Sequence, residues 1–139
     1  MKKTLIFAIT HFSIVCNGIE IPSRVLDAIA QVEGGQVGMA KKEPNGRYSY
    51  GRYQISKAFL TDVNKYYDAR FTVADVRDSA AKGRLACSMG LIMIMEKRKC
   101  TLETAIAVYN GGWRNRNSKQ CKSYVRKVMA IAIERGVVK

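Results

Sequence analysis

Apolar residues recur at helical spacing along most of this chain, and one short segment alternates instead. Between Ser23 and Glu33 the apolar positions fall at i, i+3 and i+7, and Ser23 is placed to cap the first amides. Pro44-Asn45-Gly46 is a turn signal, and tyrosines at 48, 50 and 53 follow it, which predicts a small hairpin. The later pattern predicts helices at 56–67, about 79–99, 101–110 and about 118–135.

Capping side chains mark where some of these helices begin. Ser56 and Thr101 precede apolar runs, and Thr72 with Asp75 matches a capping box. The helix predicted at about 79–99 is apolar almost all round, which is typical of a helix enclosed by others. A chain of 139 residues with 47% hydrophobic content suits one domain with a substantial core. We therefore expect a mainly α single domain with a small β-hairpin.

The segment MKKTLIFAITHFSIVCNG, residues 1–18, matches a secretory signal peptide. Two lysines precede an apolar stretch that is too short to span a bilayer well, and small residues follow it. We expect export to leave a domain of residues 19–139 in the periplasm or cell envelope, or on a virion, with membrane contact only through the N-terminal segment. His11 and Ser13 interrupt the apolar stretch, so an uncleaved anchor and an ordinary amphipathic segment are the alternatives.

Three cysteines remain after such a cleavage, which is an odd number for an oxidising compartment. Cys87 and Cys100 lie near opposite ends of one predicted helix, about 20 Å apart at 1.5 Å per residue, which is too far for a disulfide. We therefore predict a disulfide between Cys100 and Cys121. The alternative is three reduced, partly buried thiols.

The chain carries a formal net charge of +13, from 24 Lys and Arg against 11 Asp and Glu. Such an excess predicts attraction to a polyanion, and nucleic acid, anionic lipid and the bacterial cell wall all qualify. The basic residues are scattered along the chain, as on a solvated surface. His11 is the only histidine and lies in the predicted signal peptide, which excludes a histidine-based triad or a zinc hydrolase in the mature chain. No metal and no cofactor is expected.

Glu33 is a carboxylate at the end of an apolar helical stripe, and Gly34 and Gly35 follow it at once. Glycines at this position end a helix, so Glu33 meets the negative end of the helix dipole. Apolar surroundings and the dipole both raise the pKa of a carboxyl group, toward the range in which it can donate a proton near neutral pH. Glu33 is thus a candidate general acid. The alternative is an exposed Glu at a frayed helix end.

Four motifs follow one another in a recognisable order. They are Glu33-Gly34, Ser49-Tyr50-Gly51-Arg52-Tyr53-Gln54-Ile55, Val108-Tyr109-Asn110-Gly111-Gly112 and Tyr124-Val125. In this order the chain resembles the lytic transglycosylases of the soluble-transglycosylase type, which have a lysozyme-like fold. The second motif keeps Ser, Gly and Gln of that family, and Arg52-Tyr53 replaces its Leu-Met, which affects the shape of the substrate subsites. The first two motifs resemble those of the small exported members attached to conjugation and secretion machines, and also those of phage wall-entry enzymes.

The resemblance implies cleavage of peptidoglycan with formation of a 1,6-anhydro ring. In this reaction one carboxyl group acts first as acid and then as base, so neither a second carboxylate nor a metal is required. The implied partner is then peptidoglycan. A conjugation, secretion or phage particle assembly is the further partner that the resemblance implies, and no nucleic acid is expected. The implied roles are Glu33 as catalytic acid, Ser49 and Gln54 lining the cleft, Tyr109 bonding the carboxyl group, Asn110 holding the adjacent loop or substrate, and Tyr124 behind Glu33.

Three other functions fit parts of the sequence. A muramidase of the same fold would hydrolyse the same bond, and it needs a second carboxylate such as Asp62 or Asp75 to face Glu33. A basic nucleic-acid-binding helical domain explains the charge but not a Glu on the apolar stripe. A catalytically inactive wall-binding module differs from an enzyme only by its lack of activity.

Overall fold

The computed structural model of the protein describes residues 7–9 and 13–137. It confirms a mainly helical fold with a small antiparallel hairpin. It also has a second small sheet, because residues near the N-terminus form strands. The elements, in chain order, are β1 (Phe7–Ile9), β2 (Ser13–Cys16), β3 (Ile19–Pro22), α1 (Ser23–Glu33), β4 (Ala40–Lys42), β5 (Tyr48–Tyr50), β6 (Ile55–Ser56), α2 (Lys57–Tyr67), α3 (Val73–Asp78), α4 (Ala80–Arg98), α5 (Leu102–Gly111) and α6 (Lys119–Val137).

Helix α4 lies at the centre of the molecule, as its apolar pattern predicts. Its middle is buried on every side, and α1, α2, α3, α5 and β3 pack around it. Gly90 allows the closest of these contacts, because a Cβ at this position would overlap the ring of Phe59 on α2. The surrounding helices thereby take their positions from α4.

Three of the predicted caps are confirmed, and one is wrong. Ser56 and Thr101 each accept a backbone N–H of the following helix, and Thr72 forms the capping box with Asp75. Ser23 instead begins α1 as a helical residue and caps no amide, since Pro22 occupies the N-cap. The Ser23 hydroxyl and carbonyl both accept hydrogen bonds from the guanidinium of Arg84 on α4.

The guanidinium of Arg84 joins α4 to two other elements. It forms an ion pair with Asp27 on α1 at 2.7 Å, and it donates to the Tyr53 hydroxyl at 3.0 Å. Tyr53 lies in the turn between β5 and β6, so one side chain of α4 reaches both α1 and the hairpin segment. These contacts hold the two segments that carry the first two motifs.

Strands β1, β2 and β3 form an antiparallel sheet over residues that the sequence assigns in part to a signal peptide. Asn17 and Gly18 make the turn between β2 and β3 with φ of 53° and 79°, as in a tight two-residue hairpin. Cys16 is fully buried in the core. Residues 1–6 and 10–12 of the predicted signal peptide, and residues 138–139 of the predicted domain, lie outside the described residues. Within the described ranges, no helix combines the length and apolar character needed to cross a membrane.

The Cys100–Cys121 disulfide is not formed, and all four cysteines of the chain are free thiols. Cys100 lies just before the start of α5, whereas the Cys121 sulfur packs against Gly111 at the end of the same helix. The ten residues of α5 separate these two places by about 15 Å, which exceeds the reach of a disulfide. The prediction failed because the sequence places Cys100 at the start of α5 but does not indicate that Cys121 packs against the other end.

Strands β4, β5 and β6 form the predicted hairpin sheet, and two glycines bring it against the end of α1. A Cβ on Gly35 would overlap the Gly51 carbonyl oxygen and would lie 2.8 Å from that of Arg52. Gly51 has φ of 73°, and a Cβ on it would overlap the carbonyl oxygen of Val76 on α3. The backbones of three segments therefore stack without intervening side chains.

Removal of residues 1–18 is expected to destabilise the domain. It deletes β1, β2 and the buried Cys16, and it uncovers the core against which they pack, so a chain that begins at Ile19 should lose at least ~2 kcal/mol of unfolding free energy relative to the full chain. Denaturant titrations followed by circular dichroism would measure the difference. Equal stability of the two chains would show that the N-terminal sheet contributes nothing to the fold, and that cleavage leaves the domain intact.

Gly35→Ala is expected to destabilise the fold by about 1–3 kcal/mol, because the added methyl group overlaps the Gly51 carbonyl oxygen and forces the two backbones apart. Gly136→Ala is a matched control, since only the flexible side chain of Arg24 lies near that position, in helix α6. Alanine should be neutral or slightly stabilising there. Thermal unfolding of both variants tests the contact, which would be refuted by equal effects.

Candidate functional site

Glu33 is the last residue of α1 and lies between α6 and the hairpin sheet. Gly34 ends the helix with φ of 67°, and its N–H donates to the Ala30 carbonyl at 3.1 Å. Tyr124 of α6 donates its hydroxyl hydrogen to Glu33 Oε2 at 3.2 Å. The helix α6 is the main packing partner of α1, so this hydrogen bond spans an extensive helix–helix contact.

The pKa of Glu33 is raised from its ordinary value of 4.5 to about 7. Burial is the main cause, because it disfavours the charged carboxylate, and the negative charge of Glu43 adds to it. The hydrogen bond from Tyr124 and the positive charge of Lys41 act in the opposite direction but are weaker. Since the folded pKa lies above the ordinary value, protonation of Glu33 stabilises the fold. This stabilisation is complete below about pH 4.5 and is lost as the pH rises through about 7.

Tyr124 contacts Glu33, whereas Tyr109 does not donate to it as the resemblance implies. Tyr124 is 8% exposed, and burial together with the charge of Glu33 raises the pKa of its phenol, which keeps it a neutral donor. The Tyr109 hydroxyl donates to the carbonyl of Tyr53 instead, and its ring meets Phe59 edge to face at 5.1 Å. Tyr109 thus fixes the hairpin segment beside the site.

Cys87 of α4 lies behind this group, and sequence reasoning missed it as a site residue. Its thiol is fully buried and lies close enough to the Tyr109 hydroxyl for each group to shift the pKa of the other. Burial raises the pKa of the thiol, and the nearby charge of Glu33 raises it further, so Cys87 stays neutral. Only its position on an all-round apolar helix marks it in the sequence, and that feature indicates core packing.

Ser49 and Gln54 both lie in the hairpin segment and are each 9% exposed. Ser49 is the central residue of β5 and pairs with Lys41 on one side and Ser56 on the other. Gln54 adopts a left-handed φ of 51°, and its Nε2 donates to the Gly51 carbonyl at 2.8 Å. Among the described residues the Gln54 Oε1 atom has no hydrogen-bond partner. An unpaired buried acceptor costs free energy.

Asn110 joins α5 to α6 and makes no described contact with Glu33. Its Nδ2 lies 3.5 Å from the sulfur of Cys121, near the start of α6. Asn110 is therefore placed to hold the junction of the two helices beside the Gly111-Gly112 stop.

The carboxylates proposed as partners for Glu33 lie elsewhere. Asp75 is occupied by the capping box with Thr72 and by an ion pair with Lys82 at 2.9 Å. Asp62 is an exposed residue of α2. Neither is among the groups that shift the pKa of Glu33, whereas Glu43 is.

The described part of the chain contains no cluster of three or more His, Cys, Asp or Glu side chains that could hold a metal ion. Comparisons of the chain with protein families, with curated proteins and with solved structures found no match. The chemistry of the site is therefore inferred from its own side chains. They offer one carboxyl group that is about half protonated at pH 7, a neutral phenol that donates to it, and a polar hairpin at its side.

Tyr124→Phe is expected to raise the pKa of Glu33 above about 7, because the lost hydrogen bond favours the ionised carboxylate. Tyr109→Phe is the matched control and should leave this pKa unchanged, since that hydroxyl donates to a backbone carbonyl. A ¹³C NMR titration of the Glu33 carboxyl carbon measures both variants. A lowered pKa in Tyr124→Phe, or equal shifts in both, would contradict the assigned contact.

Proposed function

We propose that this protein is a peptidoglycan lytic transglycosylase, with a lysozyme-like arrangement, that cleaves the β-1,4 bond between MurNAc and GlcNAc. The observation that carries the proposal is the partly buried carboxyl group of Glu33, whose pKa of about 7 leaves a large protonated fraction at neutral pH. A general acid works best when its pKa lies near the working pH. The order of the four motifs along the chain supports the same assignment.

The reaction needs one carboxyl group in two successive roles. Glu33 first gives its proton to the glycosidic oxygen, and the bond between that oxygen and C1 of MurNAc breaks. The Glu33 carboxylate then takes the proton from the C6 hydroxyl of the same MurNAc as its oxygen bonds to C1. The ring closes, Glu33 is protonated again, and no water is consumed.

The surrounding residues suit this cycle. Tyr124 stays within hydrogen-bond distance of the carboxyl group and supports its ionised form between the two steps. Burial supports the protonated form before the first step and after the second.

Glu33→Gln is expected to fold and to bind peptidoglycan, and to lose at least ~100-fold in lytic activity, because the amide cannot donate the proton. Glu134→Gln, the same change at an exposed position of α6, should retain activity. Mass spectrometry of digests of purified sacculi should show muropeptides with a 1,6-anhydro ring, one water lighter than hydrolysis products. Full activity of Glu33→Gln would refute the mechanism.

A muramidase is the second candidate, and the charge of Glu43 is the observation that favours it. Hydrolysis by the usual two-carboxylate route needs a partner for Glu33. Asp62 and Asp75 do not fill this role, but Glu43 follows strand β4, and its charge acts on Glu33. Glu43 is thus the carboxylate on which a hydrolytic mechanism would depend.

The Glu43→Gln variant distinguishes transglycosylation from hydrolysis. In a transglycosylase the variant should keep its anhydro products and most of its activity. Its loss of activity at alkaline pH should move to lower pH, because the removed negative charge had raised the pKa of Glu33. The pH profile and the product masses measure both effects. A loss of at least ~100-fold, with reducing-end products in the wild type, would assign a muramidase instead.

The proposed setting follows from the proposed substrate. The protein would act in the periplasm or cell envelope, for local opening of the wall by a conjugation or secretion machine or by an entering phage particle. Its net charge of +13 would favour association with the acidic groups of the wall.

A further inference from the structure

A shallow groove lies between α5 and α6, on the side of α6 that faces away from Glu33. It has a volume of about 260 Å³. At about 100° per residue, Lys122 and Arg126 lie roughly 160° to 200° around the helix from Tyr124, which contacts Glu33. The body of α6 therefore separates this groove from the acid. We call it the basic groove, and its lining residues are Glu103, Thr104, Ala107, Arg116, Asn117, Lys122, Val125 and Arg126.

The basic groove carries more positive than negative charge. Three of its lining residues, Arg116, Lys122 and Arg126, are cations, and Glu103 is its one carboxylate. Among the described ion pairs, none includes any of these four side chains. Their charges are therefore available to a ligand that carries several negative groups and one positive group.

Arg116 is held in place before any ligand binds. Its Nη1 donates to the Trp113 carbonyl at 2.8 Å, and its guanidinium lies 3.9 Å from the centre of the Trp113 ring. The guanidinium of Arg98 lies over the same ring at 4.6 Å. A guanidinium fixed in this way loses little rotamer freedom on binding, and its planar fork matches a carboxylate.

We propose that the basic groove binds the stem peptide of peptidoglycan, a short peptide with several carboxylates and a free ammonium group. This inference rests on the proposed function. The three cations match the carboxylates, and Glu103 matches the ammonium group. A nucleic-acid backbone repeats phosphates and offers nothing for Glu103, and a groove of this size does not follow such a repeat. The chemistry of the lining therefore favours the peptide.

A stem peptide in the basic groove is not attached to the sugar at Glu33, because α6 lies between the two places. It belongs to another part of the wall, such as a neighbouring glycan strand. The basic groove thus acts as a tether that keeps the enzyme on the wall between cuts, and it leaves the cleavage chemistry to Glu33.

The test compares two double charge reversals with the same net charge. Lys122→Glu with Arg126→Glu alters the basic groove, and Arg70→Glu with Lys127→Glu alters exposed residues that do not line it. Each pair lowers the formal net charge from +13 by four. Both pairs are made in Glu33→Gln, so that binding is measured without cleavage, and thermal unfolding checks that each variant is folded. The ligands are purified sacculi and glycan strands stripped of stem peptides by an amidase.

The groove variant is expected to bind sacculi about tenfold more weakly than the matched control, and to bind stripped glycan equally well. A soluble stem peptide should shift the NMR signals of α5 and α6, and the same peptide with amidated carboxylates should not. Equal weakening by both pairs would overturn the inference, because it would show that binding depends on the net charge of the protein and not on the basic groove. Selective loss of binding to double-stranded DNA by the groove variant, with sacculus binding unchanged, would also overturn it and assign a nucleic-acid partner.

Cleavage of stripped glycan by chains with Glu33 intact separates this inference from the proposed function. If the wild type cleaves stripped glycan and the two charge variants bind sacculi alike, the tether is wrong and the enzyme assignment stands. If the wild type cleaves neither substrate, the proposed function fails. The difference in sacculus binding between the two pairs still decides whether the basic groove recognises stem peptides.

Discussion

The close approach of two backbones at Gly35 and Gly51 is the constraint on which the site depends. A Cβ on Gly35 would overlap the Gly51 carbonyl oxygen, and a Cβ on Gly51 would overlap the carbonyl oxygen of Val76 on α3, so neither position accepts a side chain. Hydrogen bonds follow the same path, from the Gly38 N–H to the Arg77 carbonyl at 2.6 Å and from the Gly51 N–H to the Met39 carbonyl at 2.8 Å. The end of α1, the hairpin and α3 are thereby held in one stack, which brings the charges of Lys41 and Glu43 near Glu33.

The acidity of Glu33 results from opposing effects that come from different parts of the fold. Burial raises the pKa, and the Tyr124 hydrogen bond lowers it, but burial is the larger effect. A fully sealed carboxyl group would hold its proton too tightly to release it, and an exposed one would lose it below neutral pH. The partial exposure of Glu33 and its one hydrogen bond from α6 place the group between these limits.

Local signals predicted much of the fold, and long-range contacts account for what they missed. The caps at Ser56, Thr72 and Thr101 depend on residues three positions away, so they can be read from the sequence. Ser23 has the same chemistry, but its hydroxyl is taken by Arg84, 61 residues along the chain. An apolar segment with a small-residue end fits both a signal peptide and paired strands, so the pattern alone did not predict β1 and β2.

Some features of the candidate site could likewise be predicted from local sequence, and others depend on long-range packing. The place of Glu33 at a helix end followed from periodicity and two glycines, which are local features. The direction of the Tyr109 hydroxyl, the thiol of Cys87 behind it and the lining of the basic groove arise only when helices pack together. No spacing rule within one helix contains that information.

The hydrogen bond between Glu33 and Tyr124 joins residues 91 positions apart, and this separation orders the events of biosynthesis. A ribosome delivers α1 long before α6, and α6 is the main packing partner of α1. Until that late helix emerges, the Glu33 carboxyl group lacks both its Tyr124 partner and the cover that α6 provides. The surroundings that raise the pKa of Glu33 are therefore completed only after almost all of the described fold has been made.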